Sequence, residues 1–441
     1  MEEVPPTADD VRGAPVPGDE SGRADRVDTG DGAGRYVGRA LLWIPRLPFM
    51  IAMAPLRGLL YVQARYSAVS GLLSLFVTDD LRFAVFPTAF IATGFGLNVG
   101  AGAFAKDLLG LDDKISLRVG IGGETRWRAS AKIVIKPHRR LSATVAGLYE
   151  RRDAEPFYGY GNGDIPTPGM LIDPLTSDAA QATRFGVKVV RVVPRLKVQL
   201  PAHVSVTATA AVVSKSFDGV DHPIDPSIET VFMTDRVPGF NDGVTFVYPE
   251  LELAWDTRRQ KERWDGHGLN TTGSLVLGFA GYEHDLDGRP GFLRAGFDLQ
   301  QLIRLSRGPR VLQLRTYGEM VTGARDEVPF SELPRLGGEN MLRGYPIDRF
   351  RDRVAIVAQA TYRWAVASWL VPALFVDAGR VYSGLDEVSL KDPRVGFGFA
   401  LEVYSRSGLA LRSEIASSID GGVFLYLSLN PAFDARARVE R

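Results

Sequence analysis

From Leu81 onward, polar and apolar residues alternate with a period of two, the spacing that sends successive side chains to opposite faces of a strand. In Arg126–Lys136, Arg126, Arg128, Ser130, Lys132 and Lys136 share one face, and Trp127, Ala129, Ala131, Ile133 and Ile135 share the other. Phe292–Arg304 sets Arg294, Asp298, Gln300 and Arg304 against Leu293, Ala295, Phe297, Leu299 and Ile303. Gln313, Arg315 and Glu319 oppose Leu312, Leu314 and Met320, and Glu250, Glu252 and Asp256 oppose Leu251, Leu253 and Trp255. A soluble sandwich also alternates, but with shorter strands and its polar side outward. Several runs here reach ten residues, close to the ~9–11 that a tilted strand needs to cross hydrocarbon. The pattern therefore predicts an all-β chain, an antiparallel transmembrane β-barrel with an oily outside and a wet lumen. At ~10 residues per strand and connections of similar mean length, Leu81–Asn430 holds about sixteen strands. Connections near the C-terminus alternate in length as outer-membrane barrels require: short at Ala365–Ser368, long at Val381–Asp392, short at Ser405–Ser407. Trp364 and Trp369 flank the first of these, where an aromatic girdle belongs, with two core tryptophans as the plainer alternative. A descending last strand would leave the C-terminus in the periplasm.

The barrel is expected over residues 81–433, and the flanks read differently. Residues 1–35 are rich in Pro, Gly, Asp and Glu with almost no large apolar side chains, a composition expected to be disordered. Residues 36–80 open with the apolar stretch Tyr36–Arg65, which Arg39, Arg46, Arg57, Pro45, Pro48 and Pro55 interrupt. No stretch of the chain reaches the ~18 uninterrupted apolar residues of a membrane helix. A signal sequence cut after Ala52-Met53-Ala54 would have an acidic leading region and Pro55 just past the cut, against the usual pattern. One or two short amphipathic helices at a membrane interface or across a barrel mouth are expected instead, a helix packed on a soluble core being the open alternative. Residues 434–441 form a charged tail.

Composition narrows the function. The chain carries 52 Lys+Arg and 52 Asp+Glu, so it has no net basic footprint for nucleic acid. It has no cysteine, which removes disulfides, thiolate metal sites and a Cys nucleophile. Its 47 glycines in 441 residues exceed the usual ~7% and favour strands and tight turns. His138, His203, His222, His267 and His284 show no metal-binding spacing, so no metal or cofactor is expected. His267 lies near the hydroxyls of Thr271, Thr272 and Ser274, but reads best as a polar loop residue, and no enzyme activity is expected. Asp285-Leu286-Asp287-Gly288 lacks the downstream glutamate of a calcium loop and reads as a turn.

Particular motifs go further. Pro334–Arg353 reads PRLGGENMLRGYPIDRFRDR and contains Leu342-Arg343-Gly344-Tyr345; a strand follows, and then Phe375-Val376-Asp377-Ala378-Gly379. Phe157-Tyr158-Gly159-Tyr160-Gly161-Asn162, Trp255-Asp256-Thr257-Arg258 with Gly266 and Gly268, and Gly396-Phe397-Gly398 complete the set. In order and spacing these resemble the RGF/Y loop, the FxDxG strand, the FxGxGN loop, the DTR hairpin and the strand-fourteen GxG of the BamA/TamA family, the bacterial surface-antigen barrels. The resemblance covers about Tyr36–Phe433.

The resemblance implies that the long segment between Val321 and Arg353 folds back into the lumen. At its tip Gly344 would turn with positive φ, and Arg343 would offer a planar fork to Asp377 on a nearby strand. Breaking such a buried pair would cost ~3–5 kcal/mol. With too little chain ahead of the first strand for polypeptide-transport-associated domains, the sequence is expected to resemble the branch that lacks them. It further implies an outer-membrane barrel that assists insertion or passage of other proteins through a lateral seam or gated pore. Partners would be the outer-membrane bilayer, unfolded outer-membrane protein clients, or a periplasmic or lipoprotein partner. The seam would lie between Leu81–Phe90, where Pro87 cannot donate a ladder hydrogen bond, and Gly422–Leu429, whose start Gly421-Gly422 weakens. A structural scaffold or passive channel without insertase activity is the alternative.

Overall fold

A computed structural model describes residues 82–92, 96–122, 126–163, 171–177, 179–258, 272–306, 310–367, 369–405 and 408–429. The segments expected at 1–35, 36–80 and 434–441, together with Gly266, His267 and Gly268, lie outside the described residues.

Sixteen strands form one antiparallel sheet in which each pairs with its neighbours along the chain. They are β1 (Phe83–Ala92), β2 (Gly96–Lys106), β3 (Lys114–Gly122), β4 (Arg126–His138), β5 (Leu141–Phe157), β6 (Thr183–Gln199), β7 (Val204–Gly219) and β8 (Val244–Asp256). The sheet continues through β9 (Gly273–Asp285), β10 (Phe292–Arg304) and β11 (Arg310–Val321). Between β11 and the next sheet strand, β12 (Arg335–Leu336) and β13 (Phe350–Arg351) form a separate two-stranded ladder. The sheet then resumes with β14 (Val354–Trp364), β15 (Leu370–Tyr382), β16 (Arg394–Ser405), β17 (Gly408–Ser418) and β18 (Val423–Leu429). The architecture is the expected antiparallel barrel fold, with β1 and β18 brought within 8 Å between Cα atoms.

The faces are inverted relative to a water-soluble protein. On β8, Leu251, Leu253 and Trp255 are exposed while Glu250 is buried. Across β3 and β4, Leu117, Val119, Ile121 and Trp127 are exposed on the same outer face. An apolar surface this continuous belongs in hydrocarbon. Strand direction alternates, so the connections separate into two ends. The loop end carries 158–182, 220–243, 322–353 and 383–393, and the opposite, turn end carries mostly short links such as 139–140, 200–203 and 365–369.

The interior differs from the wholly polar lumen that the charge alternation suggests. Toward the loop end the inward positions of β6 to β8 turn apolar: Phe185, Val187, Val189, Val213, Phe217, Phe246 and Tyr248 pack with Phe232, Phe240 and Phe330 from the loops. Loops folded inward bring apolar side chains of their own, and these are buried only where the wall beside them is apolar.

Candidate functional site: the seated loop 322–353

The loop leaves β11 and returns to β14 through a closed neck, where Val321 N–H donates to Arg353 O at 2.9 Å. The ladder of β12 and β13 pairs Arg335 with Arg351 and Leu336 with Phe350, making a hairpin. Gly337 (φ 124°) and Gly338 (φ 81°) turn the chain out of β12 toward the tip, Met341–Tyr345. Leu342, Met341 and Tyr345 are buried against Phe279, Tyr317, Ala355, Val357 and Val381 of the wall.

Arg343 sits at the centre. Its Nε and Nη2 donate to Asp377 Oδ2 and Oδ1 at 2.8 and 2.7 Å, and its backbone N–H donates to Oδ2 at 3.0 Å. Nη1 reaches Glu414 Oε1 at 3.1 Å and Nη2 reaches Thr361 Oγ1 at 3.2 Å. The guanidinium carbon lies 3.6 Å from the centroid of the Phe375 ring. Asp377 is 0% exposed and Arg343 7%. Burial alone would push the Arg343 pKa down, but Asp377 and then Glu414 outweigh it and raise the pKa, so the charge is permanent.

The glycines shape the seat. At Gly344 (φ 91°) the tip backbone presses on β17, so an added Cβ would stand 2.2 Å from Ser417 O. At Gly396 a Cβ would stand 1.6 Å from Arg343 O, and at Gly398 it would stand 2.6 Å from the Phe375 ring. Gly398, Phe375 and Arg343 therefore stack in layers that no larger residue on β16 would permit. Gly379 lies beneath Leu336, where an added Cβ would be 3.1 Å from its Cδ1. The Tyr345 hydroxyl donates to Asp420 Oδ2 at 2.7 Å, and Tyr426 donates to Tyr345 O at 2.8 Å. Burial, then Asp420, pushes the Tyr345 phenol up to about 12, so it is a neutral donor.

The structure thus places Leu342, Arg343, Gly344, Tyr345, Phe375, Asp377, Gly379, Gly396 and Gly398 in one cluster. Sequence reasoning missed Glu414, Thr361, Tyr426 and Asp420, each of which binds the tip. Glu414 carried one faint signal, an inward position on a strand next to Arg412.

Two further groups hold the loop's shoulders. Arg325 pairs with Asp352 at 2.5 Å, and Arg351 Nη1 donates to Phe330 O at 2.8 Å. Glu332 accepts from Lys215 and lies 3.6 Å from Arg294, which also binds Glu319 at 2.5 Å. The FxGxGN segment clips onto both loop and wall. Gly161 N–H donates to Arg351 O at 2.8 Å, and Asn162 Nδ2 donates to Val381 O at 2.7 Å. In the DTR segment, Arg258 Nη2 binds Asp256 Oδ2 at 2.7 Å and its Nη1 binds Gln300 at 2.7 Å, at the turn end and away from the tip. Asp285 is occupied by its own turn, accepting from Asp287 N–H at 2.8 Å and Arg289 N–H at 3.0 Å.

No protein-family model matches the chain, and no curated protein matches it. Solved structures do match. BamA from Haemophilus ducreyi lacking POTRA domains 1-3 is similar with a TM-score of 0.52 and 14% identity, over 79% of this chain and 69% of that one. CdiB from Escherichia coli is similar with a TM-score of 0.50 and 9% identity, over 78% of this chain and 61% of that one. At these identities the likeness is one of fold. The resemblance read from the motifs holds at that level: this chain shares the barrel fold of BamA and CdiB.

Proposed function

We propose that the chain is an outer-membrane barrel that assists the insertion or passage of other proteins, with loop 322–353 as the latch that closes its lumen at rest. The observation that carries this reading is the seam. Every other neighbouring pair of sheet strands is hydrogen-bonded, whereas β1 and β18 approach within 8 Å without a recorded ladder among the described residues. Pro87 lies on β1, and Gly421 (φ 91°) and Gly422 (φ 84°) enter β18, features that weaken pairing. An edge with unpaired N–H and C=O groups is a template for a strand of another chain. The longer connections at the loop end favour that end as the outside, which leaves the start of β1 and the end of β18 on the periplasmic side. The experiment is insertion of an unfolded barrel client into liposomes containing the purified protein. Acceleration beyond that given by an unrelated porin is expected; a rate equal to the porin's would leave only the scaffold or passive-channel reading.

A further inference from the structure

The lumen wall is electrostatically two-sided. On the wall that holds the loop, inward carboxylates meet cations: Asp298 with Arg315 at 2.9 Å, Glu402 with Arg363 at 3.2 Å, and Asp377 with Arg343 at 2.7 Å. On β2, β3 and β4 one such pair is present, Arg128 of β4 with Glu150 of β5 at 3.7 Å, and three lysines stand apart from it. Lys106, Lys114 and Lys132 lie on the inward face, opposite the exposed Leu117, Val119 and Ile133. Lys106 and Lys114 are cross-strand partners, and Lys132 pairs with Ser116 one inward position along β3. Both Nζ of Lys106 and Lys114 converge on the Phe104 ring, 5.1 and 5.3 Å from its centroid. Among the described residues no carboxylate comes within 4.0 Å of any of the three lysines.

Three cations sharing one face of a barrel wall, with no carboxylate within 4.0 Å among the described residues, focus a positive potential into the lumen they line. The chain as a whole is neutral, so this field is local and not a consequence of net charge. The loop and its ion pairs occupy the other wall, so a solute passing an unseated loop meets the lysine face near the turn end.

We propose that the β2–β4 wall is an anion-binding surface that makes the opened barrel selective for small anions. Chloride serves as the probe. The proposal rests on the lumen being openable, and not on the chain acting on protein clients. Full-length protein is reconstituted in planar bilayers across a KCl gradient, as wild type and as Arg343→Ala to unseat the loop, and the reversal potential is read. Its sign is expected to be that of chloride preference. The triple change Lys106→Glu, Lys114→Glu, Lys132→Glu is expected to lower the chloride-to-potassium permeability ratio several-fold or invert it. The matching arginine triple is expected to keep the ratio, and Lys114→Gln alone to lower it in a chain whose fold is least disturbed. Potassium preference, an unchanged ratio in both the glutamate triple and Lys114→Gln, or no conductance even in Arg343→Ala would each overturn the proposal. A negative result in client insertion alongside chloride preference would remove the client reading and leave this one standing.

Discussion

At the residue scale, Arg343 is the side chain on which the loop turns, because one planar fork answers two buried carboxylates from two strands and stacks on an aromatic face. Replacing it with alanine leaves Asp377 buried without its cation and Glu414 with Arg412 alone, 3.3 Å away, at a cost of about 3–5 kcal/mol. Since 1.4 kcal/mol is tenfold, the ratio of seated to unseated loop falls on the order of a hundredfold or more. Planar-bilayer recordings of Arg343→Ala should show larger and longer openings, and Arg343→Lys an intermediate effect, since an ammonium cannot match the fork. Unchanged conductance with an intact fold would sink the latch. Tyr345 adds a pH dependence. Its phenol is pushed up to about 12, first by burial and then by Asp420. A raised value for a group that docks neutral means that its contribution is full below the ordinary tyrosine range near 10 and is lost as pH rises toward about 12. Openings should therefore become more frequent in that alkaline window, and Tyr345→Phe should abolish this dependence. If Tyr345→Phe opens with the same alkaline profile, the hydroxyl is not the titrating group.

At the element scale, the loop is held at two levels of different chemistry. The tip is bound by charge, and the shoulder by aromatic packing around Phe330, whose ring lies 4.7 Å from Phe217, 5.3 Å from Phe185 and 5.7 Å from Phe157. Phe330→Ala removes a fully buried ring at a cost of about 3–5 kcal/mol. That loss should fall on loop docking and not on the sheet, whose ladder does not involve Phe330. Limited proteolysis should cut within 322–353 faster in this variant while the barrel stays folded; loss of the folded barrel would mean that the cluster is part of the sheet's own core. The strands were legible because period-two alternation survives in several of them separately; Phe292–Arg304 is β10 residue for residue. The loop's seat was legible only where motifs marked it. Glu414 lies 71 positions from Arg343 and Asn162 lies 219 from Val381. Nothing in the local pattern of either names its partner.

At the scale of the whole molecule, the proposed opening falls between β1 and β18, the neighbouring pair that no ladder joins among the described residues. Because the chain has no cysteine, a pair introduced across that seam, scanned from Thr88 against Phe424 and Leu425, would supply its only thiols. Oxidising the pair should abolish the acceleration of client insertion and reduction should restore it, while chloride conduction through the lumen should persist; an oxidised barrel that still accelerates insertion would show that the seam is not the route. By itself the sequence determined the fold class, the strand number, the inside-out placement of charge and the identity of the residues at the loop tip. All of these follow from periodicity, or from short motifs whose members are neighbours in the chain. Only the tertiary structure decided that Glu414 joins Asp377 on Arg343, that aromatic loops fill the loop end of the lumen, and that the lysines of β2 to β4 share a wall with no carboxylate within 4.0 Å among the described residues. These depend on how the sheet brings its strands together and on the path of a folded-back loop, which set distances between residues far apart in sequence that no local pattern encodes.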